Sequence, residues 1–201
     1  MMILWKERLI FLAVPKTGST AIEQALAPYA AISFQGPPQI KHMTHQRFNR
    51  FIRPYLEKEG VEDLTLFAVM REPVSWLGSW YRYRQRPDLE GHPNSTAGIS
   101  FNSFVTAYMM EGERPEYARL GSQARQLSVS RNKVGMDLLF RYEDMPQLCD
   151  FLTERIGKKI ELAPHNISPR AELELSPRIR SRLMLKHPLE FETYESIRRP
   201  G

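Results

Sequence analysis

A lysine, a glycine and three hydroxyl side chains stand together in Pro15-Lys16-Thr17-Gly18-Ser19-Thr20, directly after the apolar run Leu9–Val14. A turn of this kind, leading from a strand into a helix, presents several backbone N–H groups to one point at the positive end of the helix dipole. Gly18 lets the main chain approach a bound group closely, Lys16 adds a point charge, and Ser19 and Thr20 add hydroxyl donors. That is the chemistry of an anion cradle for phosphate or sulfate. It differs from the Walker A loop, in which the lysine follows the second glycine and the next hydroxyl holds Mg²⁺; here the lysine precedes the glycine. A second cluster follows the apolar run Leu64–Met70: Arg71-Glu72-Pro73, with Ser79 eight residues beyond Arg71. An arginine at a strand end can grip a phosphate through two parallel N–H bonds, and a serine two turns into the next helix can reach the same anion from another side. The segment Lys41-His42-Met43-Thr44-His45 adds two imidazoles, a group that titrates near 6.5 when unperturbed and suits general-base work.

These residues need a frame, and the hydrophobic pattern predicts one. Leu9–Val14, Leu64–Met70 and Met136–Arg141 read as short buried strands. Ile22, Ala25, Leu26 and Tyr29 mark a helix after Gly18, with Thr20 and Glu23 at capping-box spacing. Phe48, Phe51, Ile52 and Tyr55 mark a second helix that Pro54 limits or kinks. Pro73 opens a third carrying Val74, Leu77 and Tyr81, and Ser100 opens a fourth carrying Phe101, Phe104, Val105 and Tyr108. A helix from Asp144 to Gly157 follows the third strand, and Ser176-Pro177 starts a late one. The polar, Pro- and Gly-containing stretch Arg82–Gly98 reads as a long loop. Strands separated by helices predict an α/β fold, a parallel sheet covered by helices on both faces. Ligands of such sheets bind beyond the carboxyl ends of the strands, which is where Lys16, Arg71 and Arg141 fall.

Composition bounds the rest. The chain has 201 residues, enough for one domain, with 42% hydrophobic and 25% charged residues, a globular balance. No apolar run approaches the roughly 20 residues of a bilayer span, and a single cysteine, Cys149, leaves no internal disulfide and too few thiols for a zinc or iron–sulfur centre. Cys149 reads as a buried core thiol. A cytoplasmic chain without a membrane span is the expectation. Net charge is +5, which favours anionic partners, but no run of five or six basic residues marks a nucleic-acid tail.

The clusters also resemble those of a known family. Phe11 to Thr20 is similar to the 5′-phosphosulfate motif of sulfotransferases, in the P-K-T-G-[GS]-T form of the carbohydrate branch. Phe67 to Pro73, continuing to Ser79-Trp80-Tyr81, resembles that family's 3′-phosphate motif. Phe140-Arg141-Tyr142-Glu143-Asp144 and Pro164-His165-Asn166 are similar to two later elements, so the resemblance spans about residues 9 to 170. It implies a P-loop-like three-layer fold, a single domain over residues 1–201, and a soluble bacterial-like member. It further implies the donor 3′-phosphoadenosine 5′-phosphosulfate (PAPS), whose sulfuryl group passes without a metal to a hydroxyl or amine, with a saccharide as the favoured acceptor and 3′-phosphoadenosine 5′-phosphate (PAP) as product. By resemblance Lys16, Thr17, Gly18, Ser19 and Thr20 hold the 5′ side, Lys16 also stabilises the leaving group, Arg71 and Ser79 hold the 3′-phosphate, and His42 rather than His45 is the base. Gln123 reads first as helix surface, although relatives often carry a glutamine there near the acceptor, and Arg170 is a candidate to close over the donor. One position departs: the family's second arginine, five residues after Arg71, is Trp76. The competing expectations are a non-catalytic nucleotide-binding protein of the same fold and a small P-loop kinase.

Overall fold

The computed structural model of the chain describes residues 1–60, 63–131, 133–163 and 173–197. Pro164-His165-Asn166 and Arg170 lie outside the described residues. Five short strands form the main sheet: β1 (Met2–Leu4), β2 (Leu9–Phe11), β3 (Ile32–Ser33), β4 (Thr65–Met70) and, furthest along the chain, Leu138–Arg141. A separate antiparallel pair, β5 (Ser128–Ser130) and β6 (Lys133–Val134), precedes that last strand, which is therefore β7. The order across the sheet is β3-β1-β2-β4-β7. The predicted strands are its parallel heart, β2 beside β4 beside β7. The sheet as a whole is mixed, because β1 runs antiparallel to both β2 and β3. The expectation of a wholly parallel sheet is corrected on that side. The cause is local: a tight turn over Trp5–Arg8, with Arg8 at φ 56°, folds a three-residue strand back onto β2, and so short a strand carries no legible periodicity.

The alternation of side chains explains why both faces of the sheet must be covered. Ile3, Ile10, Leu12, Leu66 and Ala68 are buried on one face, and Met2, Leu4, Leu9, Phe11, Phe67 and Val69 on the other. The first face packs against a helical run that follows α1 (Ser19–Leu26) and the short α2 (Pro38–Lys41). That run comprises α3 (His45–Arg47), a π-helical segment at Phe48–Ile52, and α4 (Arg53–Lys58). Pro54 supplies no N–H to the turn before it, and the chain takes the wider turn there. The extra residue rotates the buried stripe to Phe48, Ile52 and Leu56, leaving Phe51 and Tyr55 about 60% exposed, at 61% and 60%, where 3.6-residue spacing would have buried them. The second face packs against Ile22 and Leu26 of α1 and Leu148 and Leu152 of α8 (Met145–Ile156).

A third apolar cluster binds the remaining helices beside the sheet. It joins Trp76, Leu77 and Tyr81 of α5 (Pro73–Tyr83), Phe104, Val105 and Tyr108 of α6 (Phe101–Tyr108), Leu183 of α9 (Pro177–Lys186) and Phe191 of α10 (Pro188–Ser196). The four-residue α7 (Gln123–Gln126) lies between α6 and β5. The caps expected of Ser100 and Ser176 are present, accepting from Ser103 and Ile179, and Gly157 closes α8 in the left-handed region. Asp144 opens α8 without a side-chain cap bond, and Glu72, which no expectation named, caps α5 by accepting from the Ser75 N–H at 2.6 Å. The expected capping box of Thr20 and Glu23 is not formed. Gly18 is the N-cap of α1, and Glu23 instead pairs with Lys41 at 2.8 Å. Cys149 is half-buried rather than buried. Among the described residues no helix is long and apolar enough to cross a membrane.

Candidate anion-binding site

The carboxyl ends of β2, β4 and β7 lie side by side because the three strands are parallel. The segments that leave them, Pro15 onward, Arg71 onward and Tyr142 onward, border one cleft of about 1720 Å³. Among the described residues, seven lysines and arginines line it against one carboxylate, Glu72. Glu72 is itself turned toward the N–H of Ser75 and the guanidinium of Arg180, the latter at 3.6 Å. A cleft with this balance attracts anions and raises their local concentration.

The first wall is the Pro15–Thr20 turn. Both Lys16, at φ 68°, and Gly18, at φ 73°, are left-handed. For a lysine this conformation is strained, and the surrounding bonds account for it. Four successive main-chain carbonyls each accept from a side chain. Ala13 O accepts from His42 Nδ1 at 2.9 Å and Gln126 Nε2 at 3.0 Å. Val14 O accepts from Thr17 Oγ1 at 2.9 Å, Pro15 O from Trp76 Nε1 at 2.9 Å, and Lys16 O from Arg71 Nη1 at 3.5 Å. With its acceptors held in this way, the turn offers the cleft the N–H groups at the start of α1, which have no intrahelical partner. Gly18 is required for room as well as for φ: a Cβ there would lie 3.0 Å from Met145 Cε and 3.3 Å from the Tyr142 ring. Lys16, Gly18, Ser19 and Thr20 line the cleft as expected. Thr17 does not; its side chain is fully buried and its hydroxyl is spent on Val14.

The Lys16 ammonium lies 3.7 Å from the centre of the Tyr83 ring and 5.3 Å from that of Trp80. Arg86 lies over the same tyrosine at 4.2 Å. Burial first, then the neighbouring Arg86, Arg71 and Arg82, bring the Lys16 pKa down to about 7. Of the aromatic residues on α5, Trp76 and Tyr81 are buried core, whereas Trp80 and Tyr83 are half-buried and line the cleft.

The second wall is Arg71 with α5. Its Nε donates to Ser75 Oγ at 2.8 Å, and its guanidinium lies 4.3 Å from the Tyr142 ring. Gln123 clasps the Arg71 main chain from behind, accepting from its N–H at 3.0 Å and donating to its carbonyl at 2.9 Å. Gln123 is thus a fully buried brace, neither helix surface nor acceptor contact. Ser79, almost fully buried on the second turn of α5, lines the same cleft. The Arg141-Tyr142-Glu143 segment supports this wall. Arg141 Nη2 donates to the carbonyls of Tyr194 and Ile197 at the end of α10, both at 3.0 Å, while Glu143 accepts from the Glu72 N–H and the Tyr194 hydroxyl.

The two histidines separate cleanly. His42 lines the cleft; since a carbonyl can only accept, its bond to Ala13 O puts the proton on Nδ1 and leaves Nε2 as the basic nitrogen. Burial lowers its pKa from the usual 6.5, with the Ala13 bond acting in the opposite direction. Gln126 also donates to the His42 carbonyl at 3.3 Å, fixing the residue at both ends. His45 is 2% exposed, sits on α3 beside Asn49, and lies outside the cleft lining. Trp80 and Tyr83, whose helical spacing reads either as core or as a platform for an adenine or sugar, stand on the cleft; Gln126, which also lines it, carries no signal in the sequence.

No family model matches the chain, and no curated protein matches it.

Proposed function

We propose that the protein is a PAPS-dependent sulfotransferase acting in the cytoplasm on a hydroxyl or amine acceptor, with a saccharide favoured. A sulfotransferase-type P-loop-like fold forms part of this reading. The observation that carries it is the pairing of two anion-binding walls on one cleft, linked by the Arg71 bond to the Lys16 carbonyl. A nucleotide with phosphates at both 3′ and 5′ positions is the ligand such a pair suits. Arg71 and Ser79 hold the 3′-phosphate; the α1 N-terminus with Ser19 and Thr20 holds the 5′-phosphate. The donor supplies an activated sulfuryl group, and in-line transfer of this kind rests on positioning and charge stabilisation. Lys16 places its ammonium where charge develops on the leaving phosphate, and His42 Nε2 takes the acceptor's proton.

The deciding experiment is thermal unfolding with PAP, adenosine 5′-phosphate or ATP with Mg²⁺. PAP at 100 times its Kd adds about 2.7 kcal/mol of stability, and metal-free PAP should raise Tm most. A rise with ATP and Mg²⁺ alone overturns the proposal in favour of a kinase. Turnover of labelled PAPS with a panel of acceptors then separates an enzyme from a binding protein.

Arg71 gives a sharper test of the 3′ wall. A charge-assisted bond to a partly buried anion contributes about 1.5–3 kcal/mol. Arg71→Ala should therefore weaken PAP binding tenfold or more while barely changing the binding of adenosine 5′-phosphate, as measured by calorimetry. Equal losses for the two ligands remove Arg71 from the 3′ site.

A further inference from the structure

We infer that Trp76 is a positioning residue for the 5′ anion cradle, its indole N–H holding the Pro15 carbonyl away from the cleft. The inference rests on the donor reading above and gives a role to the position at which the chain departs from the resembled motif. The side chain is 3% exposed, packs within the α5–α6–α9–α10 cluster, and is absent from the cleft lining. It touches no ligand position directly, yet its Nε1 lies 2.9 Å from Pro15 O. The peptide so fixed is the one that enters Lys16, a non-glycine residue in the left-handed region. Without that bond the Pro15 carbonyl is free to rotate and the left-handed Lys16 loses one of the contacts that hold it there. A carbonyl turned into the cleft would repel the anion that the neighbouring N–H groups attract. The ring also meets Trp80 edge to face at 6.2 Å, so the same side chain buttresses the aromatic surface beside the Lys16 ammonium.

A neutral tryptophan at this position serves the 5′ side of the nucleotide, in contrast to Arg71, which serves the 3′ side. That difference separates a positioning role from both a phosphate contact and a generic packing role. Trp76→Phe keeps an aromatic ring but removes the donor; replacement of Trp76 by 3-benzothienylalanine keeps the two-ring shape and removes only the N–H. In both variants calorimetry should show PAP and adenosine 5′-phosphate weakened by the same factor, about fivefold to tenfold, with their affinity ratio unchanged, as expected for one buried neutral hydrogen bond. Unchanged affinity for both ligands in the benzothienyl variant overturns the inference. So does a loss confined to PAP, which would place Trp76 at the 3′-phosphate. Should Trp76→Phe not fold, the benzothienyl variant alone decides. Inorganic pyrophosphate serves as the probe that tells the two proposals apart. If wild type binds pyrophosphate but neither nucleotide, the donor reading fails, and a fivefold to tenfold loss of pyrophosphate binding in the variant upholds the role of Trp76. If wild type binds no phosphate anion, both fall.

Discussion

Lys16→Met should lower kcat for sulfuryl transfer by about 10²–10³-fold, the usual cost of removing a charge-stabilising donor from a reacting centre. Donor affinity should fall much less, because the ammonium interacts most strongly once the leaving phosphate gains charge. Single-turnover rates and calorimetric affinities measured on the same variant separate the two quantities; a rise in KM alone would make Lys16 an anchor. The same side chain sets an alkaline limit. Its pKa of about 7 comes from burial and then from Arg86, Arg71 and Arg82, so the ammonium form is lost as pH rises through that value. An anion in the cradle favours the ammonium, so PAP binding should take up a proton near and above pH 7. The binding enthalpy should then vary with the ionisation enthalpy of the buffer in wild type and cease to vary in Lys16→Met.

His42→Ala should cost about 10²–10⁴-fold in turnover, the range for general-base catalysis, while PAP affinity stays near that of wild type. His42 must be neutral to accept a proton, and burial holds its pKa below 6.5, so the acid limb of kcat/KM should fall below pH 6.5. With Lys16 limiting the alkaline side, kcat/KM should peak below pH 7, between the lowered His42 pKa and the Lys16 pKa of about 7. Loss of the acid limb in His42→Ala, with the alkaline limb retained, assigns the two groups. His45→Ala should change stability rather than turnover, since that imidazole is buried against Asn49 away from the cleft. Full turnover in His42→Ala would move the base to a carboxylate, with Asp88 and Glu90 of the loop after α5 the next to replace.

The parts of the site that were legible in the sequence are those whose physics is local. A lysine–glycine turn between an apolar run and a helical stripe, or an arginine between a strand and a proline, announces itself within ten residues. The braces do not. Trp76 reaches Pro15 across 61 positions, Gln123 reaches Arg71 across 52, and Gln126 reaches Ala13 across 113. Trp76 shows in sequence only as a missing arginine and Gln123 only as helix surface or an acceptor-side glutamine; none of the three announces its brace, because the partner is a backbone carbonyl and every residue has one. Local spacing also misled. Thr20 and Glu23 have the separation of a reciprocal cap, but Glu23 has a stronger attraction in Lys41. The stripe of Phe48, Phe51, Ile52 and Tyr55 assumed 3.6 residues per turn through a segment that Pro54 widens. The three-residue β1 was too short to register at all.

The clasp of Gln123 on Arg71 has a consequence for the order in which the molecule matures. Gln123 opens α7, and the first N–H groups of that four-residue helix are secured by Glu190 of α10, which accepts from Ser122 Oγ and from the Ala124 N–H. The lysine turn and Arg71 emerge early during synthesis, yet the brace behind Arg71 is complete only when α10 has been made and has docked. A nascent chain stopped before residue 190 would carry every recognisable motif of the first half and still lack a finished grip on its ligand. Once the grip has formed, ligand and last helix hold each other: a protease that clips α10 should find its target protected by PAP, and the clipped protein should release PAP faster.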